Sequence, residues 1–203
     1  IRDGKLLFTT IDDAPAVGLC GTGLIDAVAA LLGAGLIDET GRLLSADEAV
    51  AAGEDLKERL VENSIGPVFI VADPERDGAT RQVCLSQKDI RELQLAKGAI
   101  QAAITILLKE YGVEADDLDE VLLAGAFGNY ISKESALRIG LLPAVLVEKI
   151  TQIGNAAGTG SKLVALDEAM LAEAEGLSLS ARYIELAGRA DFQMIFADAM
   201  MFS

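Results

Sequence analysis

The segment EVLLAGAFG, residues 120–128, decides the fold, because an apolar stretch here runs directly into a turn of small residues. Short, wholly apolar stretches of this kind are typical of strands buried in a parallel or mixed sheet. A second such strand is predicted at residues 67–73, and a long amphipathic helix is predicted at residues 86–110 between the two. The alternation predicts an α/β domain whose central mixed or largely parallel sheet contains both 67–73 and 120–126, with helices packed on its faces.

Composition excludes several classes of function. The 203 residues include 32 acidic and 17 basic side chains, and the formal net charge is −15. This charge excludes an electrostatic grip on nucleic acid or on an anionic membrane. The chain has no histidine, which excludes His-based triads and His-ligated metals. Its two cysteines are too few for a disulfide framework or a four-thiolate cluster, so a reducing compartment, the cytoplasm, is expected.

No segment has the pattern of a signal peptide or of a transmembrane span, because the longest apolar runs are interrupted by glycine and aspartate. The chain opens on Ile1 rather than on methionine. We therefore expect it to be a piece of a longer protein.

Three glycine clusters, at residues 18–23, 125–128 and 154–160, each precede a predicted helix. Glycine lets backbone N–H groups approach a ligand closely, and a helix N-terminus favours an anion. Tight turns and close helix packing explain glycine equally well at any one of these places. Three clusters together favour a shared nucleotide site, although none matches a Walker A loop or a G-x-G-x-x-G fingerprint.

The long helix carries a polar set at helical spacing, Gln94, Lys97 and Gln101, predicted to lie across from its apolar stripe. These side chains could hold a ribose hydroxyl or a phosphate, and a solvated helix face is the other interpretation. Cys20 is open to two interpretations in the same way, as a reactive thiol at a helix N-terminus or as a small buried packing residue. Cys84 is expected in the core. No pair of carboxylates can be singled out as acid and base.

Residues 121–131, VLLAGAFGNYI, resemble the C-terminal domain of the reductive activators of corrinoid proteins. The resemblance extends to residues 18–27, 134–143, 154–160 and 184–192. Those activators are ferredoxin-type ATPases of the actin, sugar kinase and heat-shock chaperone (ASKHA) superfamily. The resemblance covers nearly the whole chain. It implies that residues 1–203 form an actin-like, ribonuclease H-like ATPase subdomain.

The resemblance also implies a cytoplasmic function in anaerobic metabolism. In the full-length family, ATP with Mg²⁺ helps to drive an electron from a two-iron two-sulfur cluster, held by an N-terminal ferredoxin domain, to cob(II)amide. The implied partner is a corrinoid protein or a corrinoid-dependent methyltransferase, and a homodimer is left open. No contact with nucleic acid or membrane is implied.

The superfamily's adenosine motif corresponds to residues 124–128, and its second connecting motif to residues 155–160. A ribose-binding acid-x-x-Lys pattern of the chaperone members is matched at 94–97 with an amide in place of the acid. No catalytic residue and no metal ligand carries over. The nucleotide-binding residues implied are Gln94, Lys97, Gln101, Gly125, Ala126, Phe127, Gly128, Asn155, Ala156 and Gly158.

The sequence departs from the family in lacking both Asp-x-Gly phosphate loops and the four cluster cysteines. The chain is therefore expected to hold the adenosine half of the site and to show no ATPase activity alone. One alternative is an actin-like interaction module that docks a corrinoid protein without binding nucleotide. A small-molecule kinase is a third interpretation, but it needs a catalytic Asp beside a phosphate loop, and none is visible.

Overall fold

The computed structural model of the chain describes residues 1–64 and 66–202, and at positions 126 and 127 it describes the backbone alone. The strands are β1 Leu60–Asn63, β2 Gly66–Ala72, β3 Val83–Ser86, β4 Val121–Ala124 and β5 Ile150–Gly154. The helices are α1 Gly21–Gly33, α2 Glu54–Lys57, α3 Pro74–Asp77, α4 Gln87–Tyr111, α5 Gly125–Tyr130, α6 Lys133–Arg138, α7 Ala156–Leu166, α8 Glu168–Ser180 and α9 Phe192–Ala199.

The strands form two sheets. Three antiparallel strands pair in the order β1-β2-β3, and β4 pairs with β5 in parallel. The predicted α/β class, with mixed strand pairing and packed helices, is confirmed. The expectation that 67–73 and 120–126 share one sheet is wrong, because Val68 of β2 is paired with Val61 on one side and Ser86 on the other. Both edges of β2 are thus occupied, and no edge remains for β4.

Helix α4 begins and ends where local chemistry requires. Ser86 caps its N-terminus in a reciprocal capping box with Asp89, and Gly112 ends it in the left-handed conformation at φ 69°. The predicted bounds of 86–110 are therefore confirmed to within a residue. The core lies between α4, α1 and the two sheets, and its largest buried side chains include Leu31, Phe69, Leu85, Ile90, Ile139 and Ile150.

After the glycine cluster at 154–160 the sequence predicts one long helix through Ala174, but this segment forms two helices, α7 and α8. Asp167 is extended, at φ −144° and ψ 119°, and its side chain caps α8 by accepting from the Ala169 N–H. Neither helix has a buried residue. Across residues 1–64 and 66–202, no helix is both long enough and apolar enough to cross a membrane.

Candidate functional site

The parallel pairing of β4 and β5 brings two of the predicted glycine motifs to one edge. Ala124, the last residue of β4, is paired with Gly154, the last residue of β5. Each strand leads directly into the next element, with α5 starting at Gly125 and Asn155 capping α7. Because ligands of α/β folds bind beyond the carboxyl ends of parallel strands, this edge is the candidate site. We call it the β4–β5 edge.

The two predicted glycines of α5 differ in what surrounds them. Gly125 has φ +91°, and a Cβ there would meet no heavy atom of the described side chains and backbone within 4 Å. Its backbone therefore borders open space, which fits a flat ring lying against it. A Cβ at Gly128 would instead lie 3.3 Å from the carbonyl carbon of Leu123, so Gly128 is needed for packing. The side chains of Ala126 and Phe127 lie outside the described part of the chain.

The start of α7 is built by Asn155. Its Oδ1 accepts a hydrogen bond from the Gly158 N–H at 2.9 Å. A Cβ at Gly158 would lie 2.5 Å from Asn155 Nδ2, so the small residue at position 158 makes room for the capping side chain. Ala156 is the first, half-buried residue of the helix. The 11-residue helix thus directs its N-terminus, with its partial positive charge, to the β4–β5 edge.

Gln152 is a positioning residue that the sequence did not reveal. Its Nε2 donates to the carbonyl oxygens of Gly128, at 2.7 Å, and of Ile131, at 2.9 Å. These bonds fix the C-terminal end of α5 to β5. A single glutamine in a short strand has no distinguishing pattern, so no sequence signal could have found it.

In the third predicted set, Gln94 and Lys97 are buried rather than solvated, and Gln101 is half-buried. Gln94 is 2% exposed and Lys97 is 0% exposed, so the expectation that they lie across from the buried face of α4 is wrong. Gln94 Nε2 donates to the carbonyl oxygen of Met200 at 2.8 Å and to that of Thr40 at 3.1 Å. The helix is rotated relative to the prediction, because Ile100, which belongs to the predicted apolar stripe, is 47% exposed. The spacing of these polar side chains predicts an exposed face, because buried amides and ammonium groups are rare.

Lys97 is held by the end of the chain. Its Nζ donates to the carbonyl oxygen of Met201 and, at 3.3 Å, to Gln101 Oε1, and it lies 5.2 Å from the ring centroid of Phe202. Among the residues described, no carboxylate forms an ion pair with Lys97. Burial lowers the pKa of the Lys97 ammonium to about 8. We call residues 200–202 the C-terminal strap.

The α4 residues approach the segment that follows the β4–β5 edge at one place. A Cβ at Gly140, which follows α6, would lie 3.2 Å from Gln101 Oε1 and 3.4 Å from Lys97 Nζ. The structure therefore brings together the motifs at Gly125 and Asn155, and it places the α4 residues beneath the strap. A nucleotide contact by the α4 residues stays a prediction.

A cleft of about 410 Å³, away from the β4–β5 edge, is lined by both cysteines. Cys20 caps α1 and is exposed, which makes the interpretation as a buried packing residue wrong. Its Sγ lies 3.3 Å from the Thr22 hydroxyl and accepts from the Gly23 N–H at 3.3 Å. The hydrogen bond with Thr22 is the main cause that lowers the pKa of the Cys20 thiol. Burial raises the pKa of the Cys84 thiol, which is half-buried.

Comparison with known proteins adds to this geometry. The family described as "C-terminal domain of RACo the ASKHA domain" matches residues 2–203. "Corrinoid activation enzyme RamQ" of Eubacterium limosum is 33% identical over 202 residues, which are 99% of this chain and 34% of that protein. A "[Co(II) methylated amine-specific corrinoid protein] reductase" of Methanosarcina barkeri is 34% identical over 87 residues, 43% of this chain and 16% of that protein.

Among solved structures, a "Reductive activator for corrinoid,iron-sulfur protein" matches with a TM-score of 0.83 and 31% sequence identity. The match covers 98% of this chain and 30% of that chain. The chain thus spans about a third of the length of the relatives that it matches from end to end.

Proposed function

The chain belongs to the family of C-terminal, ASKHA-type domains of corrinoid reductive activators, and from this we propose that it forms the adenosine side of the ATP-binding domain of such an activator. The protein would act in the cytoplasm and return an electron to the cob(II)amide of a corrinoid protein. The observation that carries the proposal is the β4–β5 edge, where the open backbone at Gly125 lies beside the capped start of α7.

Each part of this edge has a separate task in the proposal. The backbone at Gly125 supports the adenine ring, because among the described residues no side chain fills the adjacent space. The N-terminus of α7 orients the phosphate end through its partial positive charge. Gln152 maintains the geometry of the β4–β5 edge by hydrogen-bonding the end of α5 to β5. An iron–sulfur cluster would supply the electron, and its ligands would lie outside this chain, because two cysteines cannot supply four thiolates.

A second candidate function is an interaction module that docks a corrinoid protein and binds no nucleotide. The burial of Gln94 and Lys97 beneath the strap favours it. In that case the polar side chains of α4 hold the C-terminal strap in place, and the β4–β5 edge is only a packing junction.

Calorimetric titration of the chain with adenosine, ATP and tripolyphosphate separates the two candidates. With the adenosine side alone present, adenosine and ATP should bind with dissociation constants within about tenfold of each other, a difference of about 1.4 kcal/mol. Tripolyphosphate lacks the adenosine and should not bind. The chain should also hydrolyse no ATP, because phosphoryl transfer needs positioned phosphate and metal contacts.

Two results would contradict the nucleotide proposal. The first is a chain that binds tripolyphosphate as well as it binds ATP, because the recognised group would then be the phosphate. The second is a chain that binds a corrinoid protein but no adenosine compound, and this result would establish the interaction module instead.

A further inference from the structure

The C-terminal strap is fixed by a polar contact at each of its three residues. Met200 accepts from Gln94 at 2.8 Å, Met201 accepts from Lys97, and the Phe202 N–H donates to the Glu39 carbonyl oxygen at 2.9 Å. Phe202 is 4% exposed. The strap therefore lies over Gln94 and Lys97, which are both buried.

The contacts at Lys97 leave its charge incompletely compensated. A buried ammonium is costly unless an anion accompanies it, and within residues 1–64 and 66–202 its partners are one carbonyl, one amide and one aromatic face. The ring contributes a favourable cation–π interaction of modest size. An anionic or hydroxyl-rich ligand that reached Lys97 would compensate the charge better than the neutral strap does.

We propose that the C-terminal strap is an autoinhibitory element that occupies Gln94 and Lys97, and that nucleotide and strap compete for these two side chains. The inference rests on the proposed function, because it assigns the α4 residues to the same nucleotide. A ligand displaces the strap only to the extent that it binds the strap-free state more tightly. The free energy that holds the strap is therefore subtracted from the nucleotide's affinity.

The test weakens the strap without changing the two side chains that it covers. Phe202→Ala removes the buried ring over Lys97, and Phe196→Ala is the matched control, since Phe196 stacks on Phe192 with ring centroids 5.8 Å apart. In the native protein that carries this chain, Phe202→Ala should tighten ATP binding by about three- to tenfold. Phe196→Ala should leave the affinity within about twofold of the wild-type value.

A second measurement uses the unaltered protein, so that it does not depend on how the variant folds. Hydrogen exchange of the Phe202 amide reports the strap, because that N–H is bonded to Glu39. Saturating ATP should accelerate this exchange at least severalfold and should leave that of Gly112, at the far end of α4, unchanged. The autoinhibition proposal alone is overturned if ATP binds without changing the exchange of the Phe202 amide. It is also overturned if wild type and Phe202→Ala bind ATP with equal affinity. Absence of ATP binding in every form overturns the proposed function and the strap together.

Discussion

Gly98 lies against Met200 so closely that a Cβ at position 98 would come within 3.3 Å of the Met200 amide nitrogen and 3.0 Å of its Cγ. A glycine in the interior of a helix costs about 1 kcal/mol relative to alanine. The close approach of α9 to α4 explains why a 25-residue helix contains one at this position. Because Gly98 has no side chain, the C-terminal region can pack closely against α4.

Gly98→Ala should therefore destabilise the protein, by about 1 kcal/mol, although alanine is the better helix former. The matched control is Gly176→Ala in α8, where a Cβ would meet no heavy atom within 4 Å. That change should not lower the free energy of unfolding, because alanine is the better helix former and the added methyl group meets no described neighbour. Urea denaturation of both variants measures the difference. Equal stabilisation by the two changes would contradict the close packing at Gly98.

Gly125→Ala tests the β4–β5 edge. Gly125 and Gly112 both have positive φ, at +91° and +69°, and both border open space, so alanine at either position should cost about 1 kcal/mol of stability through backbone strain. Only the change at Gly125 places a methyl group where the adenine is proposed to lie. We expect a loss of adenosine affinity of about tenfold or more for Gly125→Ala and none for Gly112→Ala. Similar affinities in the two variants would argue against a ring at Gly125.

Lys97 should make stability depend on pH in the alkaline range. Its pKa in the folded chain, about 8, is below the ordinary value of 10.5, so the unfolded chain binds more protons between these two pH values. The free energy of unfolding should then rise with pH across that range, by on the order of 3 kcal/mol from this residue.

Lys97→Met should abolish that rise, and Lys88→Met, an exposed lysine of the same helix, should retain it. Chemical denaturation at several pH values between 7.5 and 10.5 provides the comparison. Parallel curves for wild type and Lys97→Met would show that the Lys97 ammonium is solvated.

Asp77 should contribute stability that is lost in acid. Its carboxylate accepts from both terminal nitrogens of Arg59, at 3.1 and 2.9 Å, and Arg59 is 3% exposed. The hydrogen bonds from Arg59 hold the pKa of Asp77 below its usual value. The contribution is therefore complete above about pH 4 and disappears as the pH falls through the folded pKa.

Asp77→Asn leaves the guanidinium without its main anion and should cost about 2–4 kcal/mol at pH 7. Glu75→Gln, an exposed carboxylate of the same short helix, should cost less than about 0.5 kcal/mol. Thermal unfolding at pH 7 and pH 3.5 should show the two variants converging in acid. A constant gap between them would show that the Asp77 charge is not responsible.

Local signals predicted the individual elements well. The Ser86 cap and the Gly112 stop fixed α4, and the apolar run before Gly125 fixed β4, because caps, stops and apolar periodicity act within a few residues. Strand pairing is a longer-range property. The short strand Leu60–Asn63 pairs along β2 and determines which edge is free, and nothing in its four residues indicated this.

Local signals also predicted the position of the candidate site, but not the partners of the α4 residues. Small residues after two apolar strands located Gly125 and Asn155, since the carboxyl ends of paired parallel strands share an edge. The sequence does not predict the rotation of α4, because Gln94 and Lys97 are polar yet buried. Their partners in the strap lie more than 100 residues away along the chain. A periodicity read from one helix contains no information on such distant partners.

The helical hairpin formed by α7 and α8, in which no residue is buried, has a consequence for how the protein unfolds. Each buried aliphatic side chain typically adds one to several kcal/mol to the cooperative unit to which it belongs. Helices without buried side chains are expected to open and close by local fluctuation, at a small fraction of the free energy of global unfolding. The protein would thus have a partly unfolded form in which α7 and α8 are open while α4 and both sheets remain intact. A protease would then cleave first around Asp167.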